Sequence, residues 1–371
     1  MKLDETAAAA IVVIGGAGNF GRRIVANLAR TFSDRLVVAG RNLARAEQAA
    51  ERVGARAVRL DAASPRLAAA LASLKPALVI NASGPFQGQT PTVAEACVEV
   101  GANYVDLADD RNYVEGVVAL DSQAIVQDVV LVTGASSVPG LSSTVIAALC
   151  KGTAPVSIEV AIVPGNRAER GLSTVTGILS TLGRIHKGWN DGISSPVRTW
   201  ADVRCKPFSK GLGKRWLANV DVPDLTLLPR SYPTLRSVRF QAGLELGILH
   251  LATAAMAWCA RNGLVADWSR WSRPIVRMSH GFDRFGTDVG GMEVIVETST
   301  GHRTRWTLVA NEGVGPFIPT IPAIIVANKI IRGQLSRPGA YPCLNLFCLD
   351  DFGREIAGMP ITTEIDDLSD S

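Results

Sequence analysis

Residues 11–21 read Ile-Val-Val-Ile-Gly-Gly-Ala-Gly-Asn-Phe-Gly, and this stretch decides the fold of the chain. Its four apolar residues predict a short buried strand, which runs directly into a turn with the spacing G-x-G-x-x-G. The apolar residues that follow recur with the spacing of a helix face: Ile24, Val25 and Leu28. A strand, a glycine turn and a helix in this order predict a dinucleotide-binding unit.

Each glycine of the turn has a separate role in such a unit. Gly16 allows the tight bend, Gly18 removes a side chain where a diphosphate approaches, and Gly21 lets the helix pack closely on the strand. The N–H groups that open the helix then face the diphosphate, and the helix dipole favours its negative charge. The turn residues that we expect to contact the cofactor are Gly16, Ala17, Gly18, Asn19, Phe20 and Gly21.

The second predicted strand, residues 35–39, is followed by Gly40-Arg41-Asn42. An acidic residue here would bind the ribose 2′-hydroxyl of NAD, whereas an arginine binds the 2′-phosphate of NADP through paired hydrogen bonds. Arg41 therefore favours NADP, the alternative being a solvated arginine at a helix N-terminus. We expect Asn42 and Asp61 to contact the cofactor as well. Asp61 lies where a third strand would meet the adenine, although it can equally cap the next helix.

The composition limits the class of protein. A chain of 371 residues predicts two domains, and a formal net charge of +4 argues against a nucleic-acid partner. The six cysteines form no C-x-x-C pair and no metal-ligand spacing. We therefore expect reduced thiols, no metal site and a cytoplasmic protein. The apolar stretch 244–260 is shorter than the ~20 residues of a bilayer span, so we predict a buried helix and no membrane partner.

Alternating strands and helices predict an α/β fold, with an N-terminal Rossmann domain that has a doubly wound parallel sheet. We place this NADP-binding domain at residues 1–140. An α+β domain with a mixed or antiparallel sheet, serving substrate and dimer contacts, is placed at 141–310. Residues 311–371 form a C-terminal segment whose helix we expect to return to the Rossmann domain. The acidic tail after Thr362 is expected to be loose.

Five short motifs, taken together, resemble the saccharopine dehydrogenase (saccharopine reductase-like) family. In chain order they are Gly-Gly-Ala-Gly-Asn-Phe-Gly, Ala-Gly-Arg, Asn-Ala-Ser-Gly-Pro-Phe, Tyr-Val-Asp-Leu and Val-Pro-Gly-Leu-Ser. The resemblance is close over residues 11–145 and looser beyond. It implies a Rossmann domain, a second α/β domain and NADP-dependent chemistry, which in the saccharopine enzymes interconverts a secondary amine and an imine.

The resemblance also assigns two loops to the active site. It implies that one loop lies beside the nicotinamide and that another borders the cleft. The first comprises Ser83, Gly84, Pro85 and Phe86, and the second includes Ala135 and Ser136. The competing class of short-chain dehydrogenases needs a Tyr-x-x-x-Lys pair. None of the four tyrosines is followed by a lysine four residues later, which argues against that class.

The catalytic candidates are polar residues around the fifth strand. Hydride transfer is performed by the nicotinamide, so the protein must supply position, charge and a route for a proton. We expect Tyr104, Asp106 and Asp109 to serve as proton donors or to stabilise a cationic iminium. Asp106 can instead cap the next element of structure.

Three functions remain open. The first is an NADP-dependent oxidoreductase acting on the C–N bond of an amino-acid or amine substrate, which the resemblance and Arg41 favour. The second is reduction of a C=C bond in a lipid-like substrate, because trans-acting enoyl reductases share the Gly-Pro-Phe and Tyr-x-Asp-Leu elements. The third is a redox sensor that binds NADP without turning it over. We expect a small-molecule substrate and a homodimer for the enzyme.

Overall fold

The computed structural model describes residues 9–208 and 211–369. The chain folds into two compact units, and each is built from two separate stretches. The first unit comprises the chain up to Leu141 together with Phe317–Glu355. The second comprises Ser142–Pro316 together with the residues from Ile356 onward. The C-terminal part of the chain therefore contributes to both units.

The first unit contains a seven-stranded sheet whose described pairings are all parallel. Its strands are β1 (Ala10–Ile14), β2 (Leu36–Gly40), β3 (Arg56–Arg59), β4 (Pro76–Asn81), β5 (Asn103–Asp106), β6 (Val130–Thr133) and β15 (Gly339–Pro342). Across the sheet the order is β15-β6-β5-β4-β1-β2-β3. The direction of winding reverses between β1 and β4, and sheets of this kind bind ligands at the carboxyl ends of the strands beside such a point.

Helices alternate with these strands, as the sequence predicts. They are α1 (Gly21–Phe32), α2 (Leu43–Glu51), α3 (Leu67–Leu74), α4 (Thr92–Val100), α5 (Arg111–Val118), α6 (Asp121–Val126), α12 (Ile321–Ile331) and α13 (Leu349–Ile356). Residues 11–14 of β1 are buried, and α1 buries the stripe formed by Ile24, Val25 and Leu28. The doubly wound α/β fold predicted from the sequence is confirmed.

The second unit contains a mixed nine-stranded sheet. Its strands are β7 (Pro155–Val163), β8 (Ile185–Asn190), β9 (Ile193–Arg198), β10 (Arg204–Phe208), β11 (Gly213–Asn219), β12 (Ser237–Ala242), β13 (Gly290–Thr298), β14 (Arg303–Ala310) and β16 (Ile361–Asp367). The pairing of β12 with β7 is parallel, whereas β7–β13, β13–β14 and β14–β16 are antiparallel. The mixed sheet predicted for this part of the chain is confirmed, and β13 and β14 form a hairpin within it.

The second unit contains five α-helices within the described residues, one of them in the apolar stretch at residues 244–260. They are α7 (Ser142–Cys150), α8 (Leu172–Thr181), α9 (Asp224–Ser231), α10 (Gly247–Arg261) and α11 (Ser272–Ser279). The prediction that residues 244–260 are a buried helix is wrong in one respect, because α10 buries only His250 and Ala257. Within the described ranges, no helix is long and apolar enough to cross a bilayer.

The prediction of a loose acidic tail is also wrong. Strand β16 pairs with β14 over its whole length, from Ala310 opposite Ile361 to Thr304 opposite Asp367. Strand β16 can carry acidic side chains at the sheet edge because an arginine on the neighbouring strand β14 pairs with one of its carboxylates. The guanidinium of Arg305 on β14 lies 2.8 Å from the carboxylate of Asp366.

Candidate nucleotide-binding and active site

The turn after β1 requires glycine at two positions. Gly15 has a φ of +75°, in the left-handed region, and a side chain there would meet Ala82 and Ser83. A Cβ atom on Gly21 would lie 2.1 Å from the carbonyl oxygen of Gly15, which no packing adjustment of side chains can relieve. The backbone N–H of Gly18 donates to that same oxygen over 2.8 Å and closes the turn.

The N-terminus of α1 is suited to an anion. Its first turn has no acidic residue, and no side chain caps it. The positive end of the helix dipole therefore favours a negatively charged ligand, with no carboxylate in the first turn to oppose it. Helix α2 differs, because the side chain of Asn42 accepts a hydrogen bond from the backbone N–H of Arg45 over 3.1 Å. The glycine turn is thus the part of this edge that fits a diphosphate.

A buried arginine holds the part of the glycine turn at Asn19. The guanidinium of Arg23 donates to both the backbone and the side-chain oxygens of Asn19. Arg23 also lies over the ring of Phe317, 4.8 Å from the ring centroid. Ala17 and Phe20 complete the turn and are half-buried. These contacts hold the turn in place before any ligand arrives.

The predicted contacts to the adenosine half of the cofactor lie after β2 and β3. Arg41 follows β2 directly and is exposed. Asn42 beside it caps α2, and the carboxylate of Asp61 accepts a hydrogen bond from the N–H of Ala63 over 3.1 Å. The side chains of Asn42 and Asp61 therefore stabilise the backbone next to them. Arg41 places a guanidinium at the carboxyl end of β2.

A groove of about 460 Å³ extends from the glycine turn between α1 and α2. Ala17 lies at the turn, and three exposed arginines line the groove: Arg22, Arg45 and Arg52. Three guanidinium groups around one groove produce a positive field that suits a phosphate. Sequence reasoning missed this group, although Arg45 and Arg52 are seven residues apart and so fall on one face of a helix.

The loop after β4 is anchored at both ends. The backbone N–H and the hydroxyl of Ser83 both donate to Oδ1 of Asn81, over 3.1 and 2.5 Å. The peptide bond between Gly84 and Pro85 is cis. Phe86 is buried and packs edge-on against Tyr113, with 4.9 Å between the ring centroids. The loop that the family resemblance assigns to the nicotinamide is therefore fixed in place by buried side chains.

Asn81 connects this loop to a buried pair of tyrosines. Its Nδ2 lies 3.3 Å from the hydroxyl of Tyr104 and 3.3 Å from that of Tyr113, and the two hydroxyls are 3.0 Å apart. Burial raises the pKa of both tyrosines well above the usual range, so both stay protonated at neutral pH. The predicted proton donor Tyr104 thus lies inside a buried network. Asn81 and Tyr113 belong to that network but were not among the predicted site residues.

Asp106 is buried at the end of β5 and connects two loops. Its Oδ1 accepts hydrogen bonds from the N–H of Gly134 over 2.7 Å, the N–H of Ala108 over 2.8 Å and the hydroxyl of Thr133 over 3.0 Å. Its Oδ2 has no hydrogen-bond partner within the described part of the chain. Burial raises the pKa of Asp106 to about 6, and the hydrogen bonds from Gly134, Ala108 and Thr133 oppose that rise.

The third predicted catalytic residue, Asp109, differs from the other two. Asp109 is exposed, and its carboxylate accepts a hydrogen bond from the side chain of Gln87 over 3.0 Å. This bond connects the segment after β5 with the loop after β4. The next loop, after β6, contains Ala135 and Ser136, which are both buried. The N–H of Ala135 donates to the carbonyl of Asp106 over 2.8 Å.

The loops described above all follow the carboxyl ends of strands in the parallel sheet. Known proteins with a similar sequence domain or fold have the same architecture. Residues 11–132 match the family model described as the saccharopine dehydrogenase NADP binding domain. No curated protein sequence matches the chain at a significant level.

Two solved structures share the whole fold. Saccharopine dehydrogenase (L-Glu forming) from Saccharomyces cerevisiae has 15% sequence identity and a TM-score of 0.65, with 96% of this chain and 100% of that chain covered. The homospermidine synthase from Legionella pneumophila, solved in complex with NAD, has 11% identity and a TM-score of 0.64. There the match covers 96% of this chain and 91% of that chain.

The parallel sheet, the glycine turn and the matched domain define a nucleotide-binding domain for NAD(P), in a chain that has the fold of the saccharopine dehydrogenase-like oxidoreductases. Over residues 11–132, the match to this domain confirms the resemblance seen in the sequence.

Proposed function

We propose that this chain is an NADP-dependent oxidoreductase that acts on a C–N bond and interconverts an imine and an amine of an amino-acid or amine substrate. The observation that carries the choice of NADP is Arg41, which follows β2 where NAD-binding domains place a carboxylate. The choice of a C–N bond rests on the resemblance to the saccharopine enzymes.

The residues of the first unit fit a dinucleotide diphosphate. Only the carbonyl oxygen of Gly15 would lie near a Cβ atom on Gly18, so this position faces open space that a ligand can enter. The turn residues 16–21 and the uncapped N-terminus of α1 would hold the diphosphate. The turn is already closed by the hydrogen bond from Gly18 to Gly15, so binding needs little rearrangement.

The arginine-lined groove between α1 and α2 supports recognition of the 2′-phosphate of NADP. Arg41 stands at the end of β2, and Arg45 lies on the first turn of α2. Arg22, on the first turn of α1, lines the same groove as Arg45. A guanidinium binds a phosphate through paired hydrogen bonds, whereas the ribose hydroxyl of NAD gives it no charged partner. We therefore assign NADP selectivity to Arg41, with Arg22 and Arg45 contributing to the local field.

The three candidate catalytic groups divide by their exposure. When bound, the nicotinamide supplies the hydride. Asp109 is exposed and so can exchange a proton with a substrate nitrogen. Tyr104 and Asp106 are buried and act as positioning residues, because their hydrogen bonds fix the loops after β4, β5 and β6. Ser83–Phe86 would border the nicotinamide, as in the family that the chain resembles.

We assign cofactor binding to residues 1–140 and substrate binding to residues 141–310, with the C-terminal segment from residue 311 supporting the first domain. The enzyme would act in the cytoplasm as a homodimer, and sedimentation of the purified protein tests the dimer directly.

An assay of cofactor oxidation tests the reaction. Purified protein is incubated with NADPH and separate panels of imines and enoyl thioesters, and the loss of NADPH absorbance is followed. Consumption with imines supports the proposal. Turnover of the enoyl compounds alone would instead assign the protein to C=C reduction, and tight NADPH binding without any turnover would assign it to redox sensing.

One observation favours C=C reduction in a lipid-like substrate as the second candidate function. Helix α10 exposes large apolar side chains, including Ile248 and Trp258, which suit an apolar partner. The enoyl panel of the same assay decides between the two reactions.

A further inference from the structure

Helix α10 presents an apolar face to solvent along its whole length. No charged residue occurs between Gly247 and Ala260. The exposed positions of this stretch are Ile248, Leu251, Ala252, Ala255 and Trp258. They recur every three or four residues, so they form one continuous stripe on the helix. Ile248 is 65% exposed and Trp258 is 58% exposed, which is unusual for side chains of this size.

The opposite face of α10 belongs to a core that it shares with neighbouring helices. Ala257 packs with Leu179 of α8 in one cluster of buried side chains, and Trp268 and Ile275 pack against the same cluster. The indole N–H of Trp268 also donates to the carbonyl of Met256 over 2.8 Å. These contacts place α10 beside α8, α11 and the turn at residues 268–271.

The elements beside α10 expose further apolar residues. Trp271 ends the short turn at residues 268–271, and Met278 lies near the end of α11; they are 57% and 70% exposed. We call the following set the apolar surface: Ile248, Leu251, Trp258, Trp271 and Met278.

The elements that expose these apolar residues also carry exposed arginines. They are Arg261 on α10, Arg270 in the turn at residues 268–271, and Arg273 and Arg277 on α11. The nearby acidic groups have partners of their own. Glu245 accepts from the N–H and hydroxyl of Thr287, Asp267 accepts from the N–H of Ser269, and Asp283 lies 2.9 Å from the guanidinium of Arg170.

We propose that the apolar surface and its arginines bind the headgroup region of an anionic lipid bilayer, with α10 lying in the membrane plane. Tryptophan is favoured at this depth because its ring is apolar and its N–H is polar, and arginine pairs with lipid phosphate. Helix α10 has 15 residues, too few to span a bilayer. The sequence-based expectation of no membrane partner assumed that this helix was buried.

A second copy of the chain fits the apolar surface less well. A twofold interface places the same patch of both copies together. The arginines around the surface would then be brought close to those of the partner, and like charges repel each other. Lipid phosphates carry the opposite charge, so the bilayer is the complementary partner.

Flotation with lipid vesicles tests this proposal. The full-length protein is mixed with vesicles of phosphatidylcholine alone or of phosphatidylcholine with phosphatidylglycerol. We expect binding to the anionic vesicles, weakened by high salt, and little binding to the neutral ones. Trp258→Gln and Ile248→Gln should each lower the partition coefficient by about tenfold, since each removes one inserted apolar side chain.

Matched variants control for misfolding and for non-specific binding to vesicles. Ile125→Gln replaces an isoleucine of similar exposure in the first unit and should leave vesicle binding unchanged. NADPH affinity should be the same in all variants. Absence of binding to the anionic vesicles overturns the proposal. So does a wild-type dimer that Ile248→Gln converts to monomers without any vesicle binding, since the surface then belongs to a second copy.

Discussion

The carboxylate of Asp106, at the end of β5, accepts a hydrogen bond from the backbone N–H of Gly134, just after β6, over 2.7 Å. The same oxygen also accepts from Ala108 and Thr133. A single buried carboxylate therefore holds together the loops that leave two strands at the ligand-binding edge of the sheet. Its burial is costly when it is charged, and this makes the stability of the first unit depend on pH.

The first prediction concerns Asp106→Asn. The pKa of Asp106 rises from 3.8 to about 6 on folding, so its protonation stabilises the folded state below pH 3.8 and that gain is lost as the pH rises through 6. Asparagine keeps the accepting oxygen and removes the charge. The unfolding free energy of the variant relative to wild type should increase by about 3 kcal/mol across this window. Thermal melts at several pH values measure it, and a constant difference would contradict the assignment.

The second prediction concerns His250→Gln, for which the unfolding free energy should depend on pH in the opposite direction. His250 is fully buried beside the rings of Trp200 and Trp216, and burial lowers its pKa from 6.5 to about 4. The neutral ring thus contributes stability that is complete above pH 6.5 and is lost as the pH falls through 4. The advantage of wild type over the variant should shrink by about 3 kcal/mol on acidification. An advantage that grows on acidification would show that the ring is charged in the folded state.

The third prediction concerns the glycine turn. In Gly21→Ala the new methyl group would overlap the carbonyl oxygen of Gly15, 2.1 Å away, so the turn or the start of α1 must move. Nucleotide affinity should fall by at least about tenfold, because the main-chain donors lose their alignment. Gly353→Ala on α13 is the control, since a Cβ atom there meets nothing within 4 Å. Equal nucleotide affinity in the two variants would remove the turn from the binding site.

The fourth prediction separates Asp109 from the cofactor site. Asp109→Asn should lower kcat about 10²-fold or more, the usual contribution of a general acid or base, and leave the NADPH dissociation constant unchanged. Asp34→Asn, at another exposed aspartate of the same unit, should keep the wild-type kcat. Steady-state rates and calorimetry measure the two quantities. If Asp34→Asn and Asp109→Asn reduce kcat equally, Asp109 has no special role.

Much of the first unit follows from sequence because its signals are local. The run Ile11–Ile14, the glycine spacing and the helix stripe after it each specify one element, and parallel strands then bring the loops to one edge. The same reasoning missed the cluster of Asn81 and Tyr113, since their contact joins residues 32 positions apart in the chain. It also missed the groove that Arg22 and Arg45 line, because they lie on separate helices.

The second unit was less predictable because its elements depend on their partners. Strand β16 is acidic and becomes stable only against Arg305 and the rest of β14. The composition of α10 predicts burial, yet its outer stripe from Ile248 to Trp258 is exposed. An apolar helix can be buried within its own fold or covered by a separate partner, and the sequence of the helix alone does not distinguish these two cases.

The central claim is that the turn at residues 16–21 holds a diphosphate while Arg41 binds the 2′-phosphate of NADP. Calorimetric titration of wild type, Arg41→Ala and Arg30→Ala with NADPH and NADH tests it most directly. We expect wild type and Arg30→Ala to prefer NADPH, and Arg41→Ala to lose about tenfold or more in NADPH affinity with NADH unchanged, as a lost charge-assisted hydrogen bond implies. Folded protein that binds neither nucleotide, or an Arg41→Ala variant with wild-type NADPH affinity, would contradict the claim.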